Sequence, residues 1–148
     1  SELLYESALL AEKLGRHEAM EASLRKLIRL KPEHAHAYNA LGYSFAERNQ
    51  RLEEAEQLVV KALQLSPDDP FIIDSMGWVL YRKGDNQGAL AHLQRAFSIR
   101  PDPEIAAHLG EVLWALGRRD EAKRIWQEAA KAHPGNEVLA EVIKRFAP

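Results

Sequence analysis

The sequence predicts an all-α solenoid, a stack of antiparallel helix pairs closed by a last helix, and three observations predict it. Glycines recur at Gly42, Gly77 and Gly110, spaced 35 and 33 residues apart. Prolines keep the same beat at Pro32, Pro67, Pro101 and Pro134. Between these marks the apolar residues follow a helical rather than an alternating period, with small residues at Ala62, Ala96 and Ala129 in step. A fixed period near 34 residues is the signature of repeat architectures in which each unit covers its neighbour's apolar face.

Aligning "SMGWVLYRKGDNQGALAHLQRAFSIRPD" with "HLGEVLWALGRRDEAKRIWQEAAKAHPG" matches the whole unit, and "ALGYSFAERNQRLEEAEQLVVKALQLSPD" fits with one extra residue near its turn. Each unit reads as two helices. The first helices cover about 35–48, 70–83 and 103–116, and the second about 52–65, 87–99 and 120–132. Gly84 and Gly117 stand between paired helices, where a left-handed residue caps a helix end. Pro67, Pro101 and Pro134 follow the second helices and forbid their continuation. Asp69-Pro70 and Asp102-Pro103 suit an N-cap followed by proline at the first helical position. The units expected are 1–34, degenerate with Ala8 where glycine is usual, then 35–69, 70–102 and 103–135, with a capping helix within 136–148.

Glycine inside a helix costs about 1 kcal/mol relative to alanine, so Gly42, Gly77 and Gly110 call for a reason. The reason expected is close approach of the facing helix, which presents Ala55, Ala89 and Ala122.

Composition excludes several chemistries. The 148 residues carry 20 Lys and Arg against 22 Asp and Glu, a net charge of −2, with no basic surplus for nucleic acid. There is no cysteine, hence no disulfide, thiolate nucleophile or cysteine metal site. No run of 18 apolar residues is present. Ser1 opens inside an amphipathic pattern, as expected for a piece of a longer protein. His34 and His36 are two apart and diverge on a helix, while His17, His92, His108 and His133 are scattered, so no metal site is expected. Acidic pairs such as Glu53-Glu54 sit at helix starts, where carboxylates favour the helix dipole. No nucleophile elbow or phosphate loop is present, so neither enzyme activity nor a cofactor is expected.

The residues resemble the tetratricopeptide repeats over about 1–134. Leu41-Gly42, Met76-Gly77 and Leu109-Gly110 supply the family's central pair. Ala89, Leu93, Ala96 and Pro101 supply the second half of one unit, and Ala122, Trp126, Ala129 and Pro134 that of the next. The resemblance implies a right-handed superhelix with a protein- or peptide-binding groove along the first helices. It implies groove positions at His36, Asn39, Tyr43 and Glu47, at Phe71, Asp74, Trp78 and Arg82, and at Glu104, Ala107, Glu111 and Ala115, with Tyr81 alongside. Tyr43, Phe71 and Trp78 would form an aromatic wall, which suits peptide capture at low rotamer cost. Some members clamp a terminal carboxylate with Lys, Asn and Arg. Here Tyr43 and Trp78 stand where that clamp wants Asn, and Asp74 and Glu111 add negative charge.

A narrower likeness lies in "PFIIDSMGWVLYRKGD", "ALAHLQRAF" and "PDPEIAAHLGEVLWALGRRDEAKRIWQEA". It resembles the C-terminal repeats of proteobacterial outer-membrane adaptor lipoproteins. These bind and activate a periplasmic carboxyl-terminal processing protease and help deliver cell-wall hydrolases to it. The likeness implies those partners and a place on the periplasmic side of the outer membrane; without it the cytoplasm is the default. A structural alternative is that the segment caps a longer array or self-associates.

Overall fold

The computed structural model describes residues 2–148. Among them the chain forms nine helices: α1 Glu2–Lys13, α2 His17–Leu30, α3 Ala35–Glu47, α4 Leu52–Leu65, α5 Pro70–Arg82, α6 Asn86–Ile99, α7 Pro103–Ala115, α8 Arg119–Ala132 and α9 Glu137–Phe146. They pair as α1 with α2, α3 with α4, α5 with α6 and α7 with α8. Each pair stacks on the next, which makes an all-α solenoid of antiparallel pairs with a terminal helix. The expected helices fall within a residue or two of those observed.

The helix starts follow from their caps. Asp69 accepts hydrogen bonds from the Phe71 and Ile72 amides, and Asp102 from that of Glu104, each ahead of a proline. Asp85 accepts from Gly88 N and Asn136 from Leu139 N. His34, unassigned by pattern, caps α3 by accepting from Ala37 N through Nδ1. Gly84 and Gly117 adopt φ of 95° and 84° in three-residue turns. The four-residue turn after α3 holds the extra residue, and with no glycine there Asn49 and Arg51 take φ of 54° and 47°.

The mid-helix glycines are contact points. A Cβ on Gly42 would lie 2.7 Å from Val59 Cγ2 and 2.9 Å from Ala55 O, and one on Gly77 2.8 Å from Leu93 Cγ. A Cβ on Gly110 would overlap the Trp126 indole, which crosses α7 there and donates to Ala107 O at 3.3 Å. Ala55, Ala89 and Ala122 are fully buried on the facing helices. Helix α9 lays Leu139 and Val142 against α7 and α8, and Phe146 reaches Trp126 and Trp114 with ring centroids 5.8 Å away. It covers the apolar face that a further repeat would otherwise bury.

Candidate functional site in the inner wall

The odd-numbered helices form the inner wall, with α3 against α5 and α5 against α7. Two cavities open on it. The first, about 260 Å3, is lined by α1, α2, α3, α5 and the start of α7, with Tyr5, Leu9, Asn39, Tyr43, Phe71 and Asp74 among its residues. The second, about 310 Å3, lies towards the C-terminus, where Tyr43, Trp78, His108 and Glu111 meet Val138, Glu141 and Arg145 of α9. Tyr43, Glu47 and Glu104 line both, so the two are halves of one groove.

A chain of hydrogen bonds crosses three units beneath the groove. Tyr43 OH donates to Glu47 Oε2 at 2.7 Å, and its oxygen lies 3.2 Å from His108 Nε2. His108 Nδ1 lies 2.9 Å from Asp74 Oδ1. The phenol proton is committed to Glu47, so the Tyr43 oxygen accepts from His108. Asp74 accepts on the other side, and both ring nitrogens therefore carry protons. Burial alone would lower the histidine's proton affinity; the charge and hydrogen bond of Asp74, with Glu47 and Glu104 behind, outweigh it and hold His108 above its ordinary value. Trp78 stacks on this ring, centroids 4.1 Å apart at 24°, which favours the cationic form further. Burial, then Glu47, pushes the Tyr43 phenol far up, so it stays a donor at any ordinary pH.

Other carboxylates are handled differently. Glu111 accepts from Arg145 at 2.9 Å and from Tyr81 OH at 3.2 Å. Glu104 has no hydrogen bond or ion pair through its carboxylate among the described residues. Its side chain opens to solvent, yet partial burial against the groove, then Asp102, Asp74 and Glu47, holds it above the ordinary carboxylate value despite the opposing pull of His108.

The expected groove residues divide accordingly. Asn39, Tyr43, Phe71 and Asp74 meet in the first cavity, and Tyr43, Trp78 and Glu111 in the second. The open aromatic wall needs correction. Phe71 is 39% exposed, under the Arg100 guanidinium at 5.6 Å, but Trp78 is only 4% exposed because His108 covers its face. Asp74 and Glu111 are likewise buried, held by their partners.

Four of the expected residues, His36, Tyr81, Arg82 and Ala115, line neither cavity. His36 lies 3.4 Å from Asp69 Oδ2. Tyr81 is drawn against Trp78 and Glu111. Arg82 donates to the carbonyls of Ala46 and Glu47 at 2.9 and 2.7 Å, which fastens α5 to the end of α3 and uses up its guanidinium. Sequence reasoning missed His108, Glu12, Tyr5, Leu9 and Arg145. A signal existed for two of these: His108 follows Asp74, and Arg145 follows Glu111, by 34 residues, about one repeat period. Residues one period apart become neighbours in a stack of repeats.

Comparison with known proteins agrees with this architecture. The tetratricopeptide repeat family matches residues 5–70 and again 80–144. A "TPR repeat-containing protein PA4667" of Pseudomonas aeruginosa is 50% identical over 109 residues, which is 74% of this chain and 18% of that protein. The chain thus spans less than a fifth of that relative. The crystal structure of TTC0263, a thermophilic TPR protein of Thermus thermophilus, superposes with a TM-score of 0.83 at 25% identity, over 97% of this chain and 78% of that one. Pseudomonas aeruginosa pilF gives 0.79 at 20% identity, over 97% and 68%. Solenoids of this class are generally non-catalytic. Among the described residues no helix is long and apolar enough to cross a membrane, and no three acids or histidines are grouped to hold a metal ion.

Proposed function

The chain belongs to the tetratricopeptide repeat family, and from that premise we propose that it is the interaction segment of an adaptor. In this reading it holds a periplasmic carboxyl-terminal processing protease, or the cell-wall hydrolases delivered to it, on the periplasmic side of the bacterial outer membrane. The observation that carries the binding role is the groove itself, a continuous inner wall with exposed Phe71 and half-buried Tyr43 over a rigid hydrogen-bonded floor. Aromatic side chains on a preorganised surface bury area at little entropic cost. The adaptor identity rests on the residue likeness over 70–129. The relative half identical to this chain is several times longer, which leaves room for other binding surfaces.

The test is a crosslinking pull-down from Gram-negative envelope extract with the chain and an Asn39→Ala/Phe71→Ala variant, read by mass spectrometry. Enrichment of a carboxyl-terminal processing protease or a cell-wall hydrolase, lost in the variant, supports the reading. Capture of neither by a folded chain contradicts it. A second reading, array stacking or self-association, is favoured by Leu3, Leu10 and Leu14, which share one face of α1 and its end and are each more than half exposed. Concentration-dependent dimerisation abolished by Leu3→Gln/Leu10→Gln would favour it.

A further inference from the structure

The charge of the groove is lopsided in a way the whole chain is not. Six carboxylates line it, from Glu12, Glu47, Asp74, Glu104, Glu111 and Glu141. The single guanidinium among them, Arg145, is engaged by Glu111 at 2.9 Å and Glu141 at 3.8 Å, and the buried His108 is engaged by Asp74. The first cavity has four of these acids in its lining and no Lys, Arg or His. The chain's net charge is only −2, so its cations have been placed elsewhere. A low-dielectric cleft lined by one sign of charge focuses that field outwards.

Two polar atoms of the wall, the Trp78 indole N–H and Asn39 Oδ1, are buried without a hydrogen-bond partner among the described residues and are closed to solvent, so the open lining is what a ligand meets. Tyr5, Leu9 and Phe71 give the first cavity an apolar side, and its volume of about 260 Å3 accommodates a large side chain. A metal ion or simple amine would use the charge and waste that apolar surface, whereas a phosphate-bearing surface would be repelled.

We propose that the groove binds a cationic protein segment, with Lys or Arg side chains reaching Glu47 and Glu104 and an aromatic or long aliphatic side chain seated by Phe71. This rests on the interaction-scaffold reading and specifies the partner's chemistry. Glu104 is its centre. The carboxylate has no hydrogen-bond or ion-pair partner among the described residues and is crowded by Asp102, Asp74 and Glu47, which a bound cation relieves.

The experiment is selection of a random-peptide library on the full 148-residue chain, with the winning peptides measured by fluorescence anisotropy. The comparison variants are Glu47→Gln/Glu104→Gln and Phe71→Ala. Gln at 47 can still accept from Tyr43, and Gln at 104 disturbs no partner, so melting curves should confirm that the double variant folds. The expected winners carry net positive charge and an aromatic or long aliphatic residue. They should bind the double variant about tenfold more weakly, lose affinity with added salt, and weaken in Phe71→Ala. Neutral or acidic winners that need Phe71 would overturn the cationic inference while leaving the scaffold intact. Basic winners that bind the double variant undiminished would overturn it by placing the contact elsewhere. Failure to select any peptide would overturn both the inference and the groove as a peptide site.

Discussion

In the C-terminal half of the groove Glu111 receives Arg145 and Tyr81, and α9 closes the end of the wall with Val142 buried against α7 and α8. Where the N-terminal half begins, Glu104 stands unpaired and Glu47 receives only a phenol, and within that half Phe71 is open to solvent. Between them the line from Glu47 through Tyr43 and His108 to Asp74 ties α3, α5 and α7 together. The same inner wall thus engages Glu111 and Asp74 through partners on neighbouring units and leaves Glu104 without one. The difference teaches that the buried acids of this repeat stack, Asp74 and Glu111, are matched across successive units, while the more exposed Glu104 is not.

The largest effect is expected at the junction of the halves. Asp74→Asn leaves His108 a buried cation without its nearest carboxylate. Removing one partner of a buried pair costs about 3–5 kcal/mol, and the remaining Glu47 and Glu104 should keep the loss near the lower end. Urea unfolding followed by circular dichroism measures it; a loss under about 1 kcal/mol would mean the pair is not what joins the repeats.

The next test uses pH. His108 is faced by Asp74 and Trp78 of α5, Tyr43 and Glu47 of α3, and Glu104 on its own helix. Its folded-state value is raised, so the stability it contributes is fully present below the ordinary histidine value of about 6.5 and is lost as pH rises through the folded value. Wild-type stability should fall over that window, and His108→Gln should flatten the fall. A decline unchanged by the substitution would assign it to another group.

Smaller effects separate the ends. Arg145→Ala should cost less than about 1 kcal/mol, because the guanidinium is half exposed, yet it should leave Glu111 with only the Tyr81 hydroxyl and so extend the acidic surface. Binding of a basic peptide should then strengthen slightly. Glu104→Gln should stabilise the chain by a few tenths of a kcal/mol near neutral pH, discounted for solvent access, and the gain should vanish in acid where the carboxyl is protonated anyway. Destabilisation by Glu104→Gln would show a hidden partner and break the comparison.

Much of the fold was legible because local and repeat signals agree. Asp69-Pro70 and Asp102-Pro103 fixed helix starts, and Gly42, Gly77 and Gly110 marked the crossings that Val59, Leu93 and Trp126 now occupy. The extra residue in "RNQR" was visible, but not that Asn49 and Arg51 would both turn left-handed to absorb it. The groove was only half legible. Of the family positions, Asn39, Tyr43, Phe71 and Asp74 line one cavity, since those side chains point where the backbone directs them. They misjudged Trp78, whose exposure depends on a histidine in the next unit, and Arg82, whose length lets it reach carbonyls of the previous one. Cross-unit pairing is a property of superhelix geometry, and a single unit's pattern does not contain it.

One NMR titration addresses the division of charge most directly, following the His108 ring nitrogens and the Glu104 carboxyl carbon together across pH. The account predicts both ring nitrogens protonated at neutral pH, with His108 titrating above an ordinary histidine and Glu104 above an ordinary glutamate. A neutral single-tautomer His108, or a Glu104 that titrates below the ordinary value as a paired carboxylate does, would contradict it.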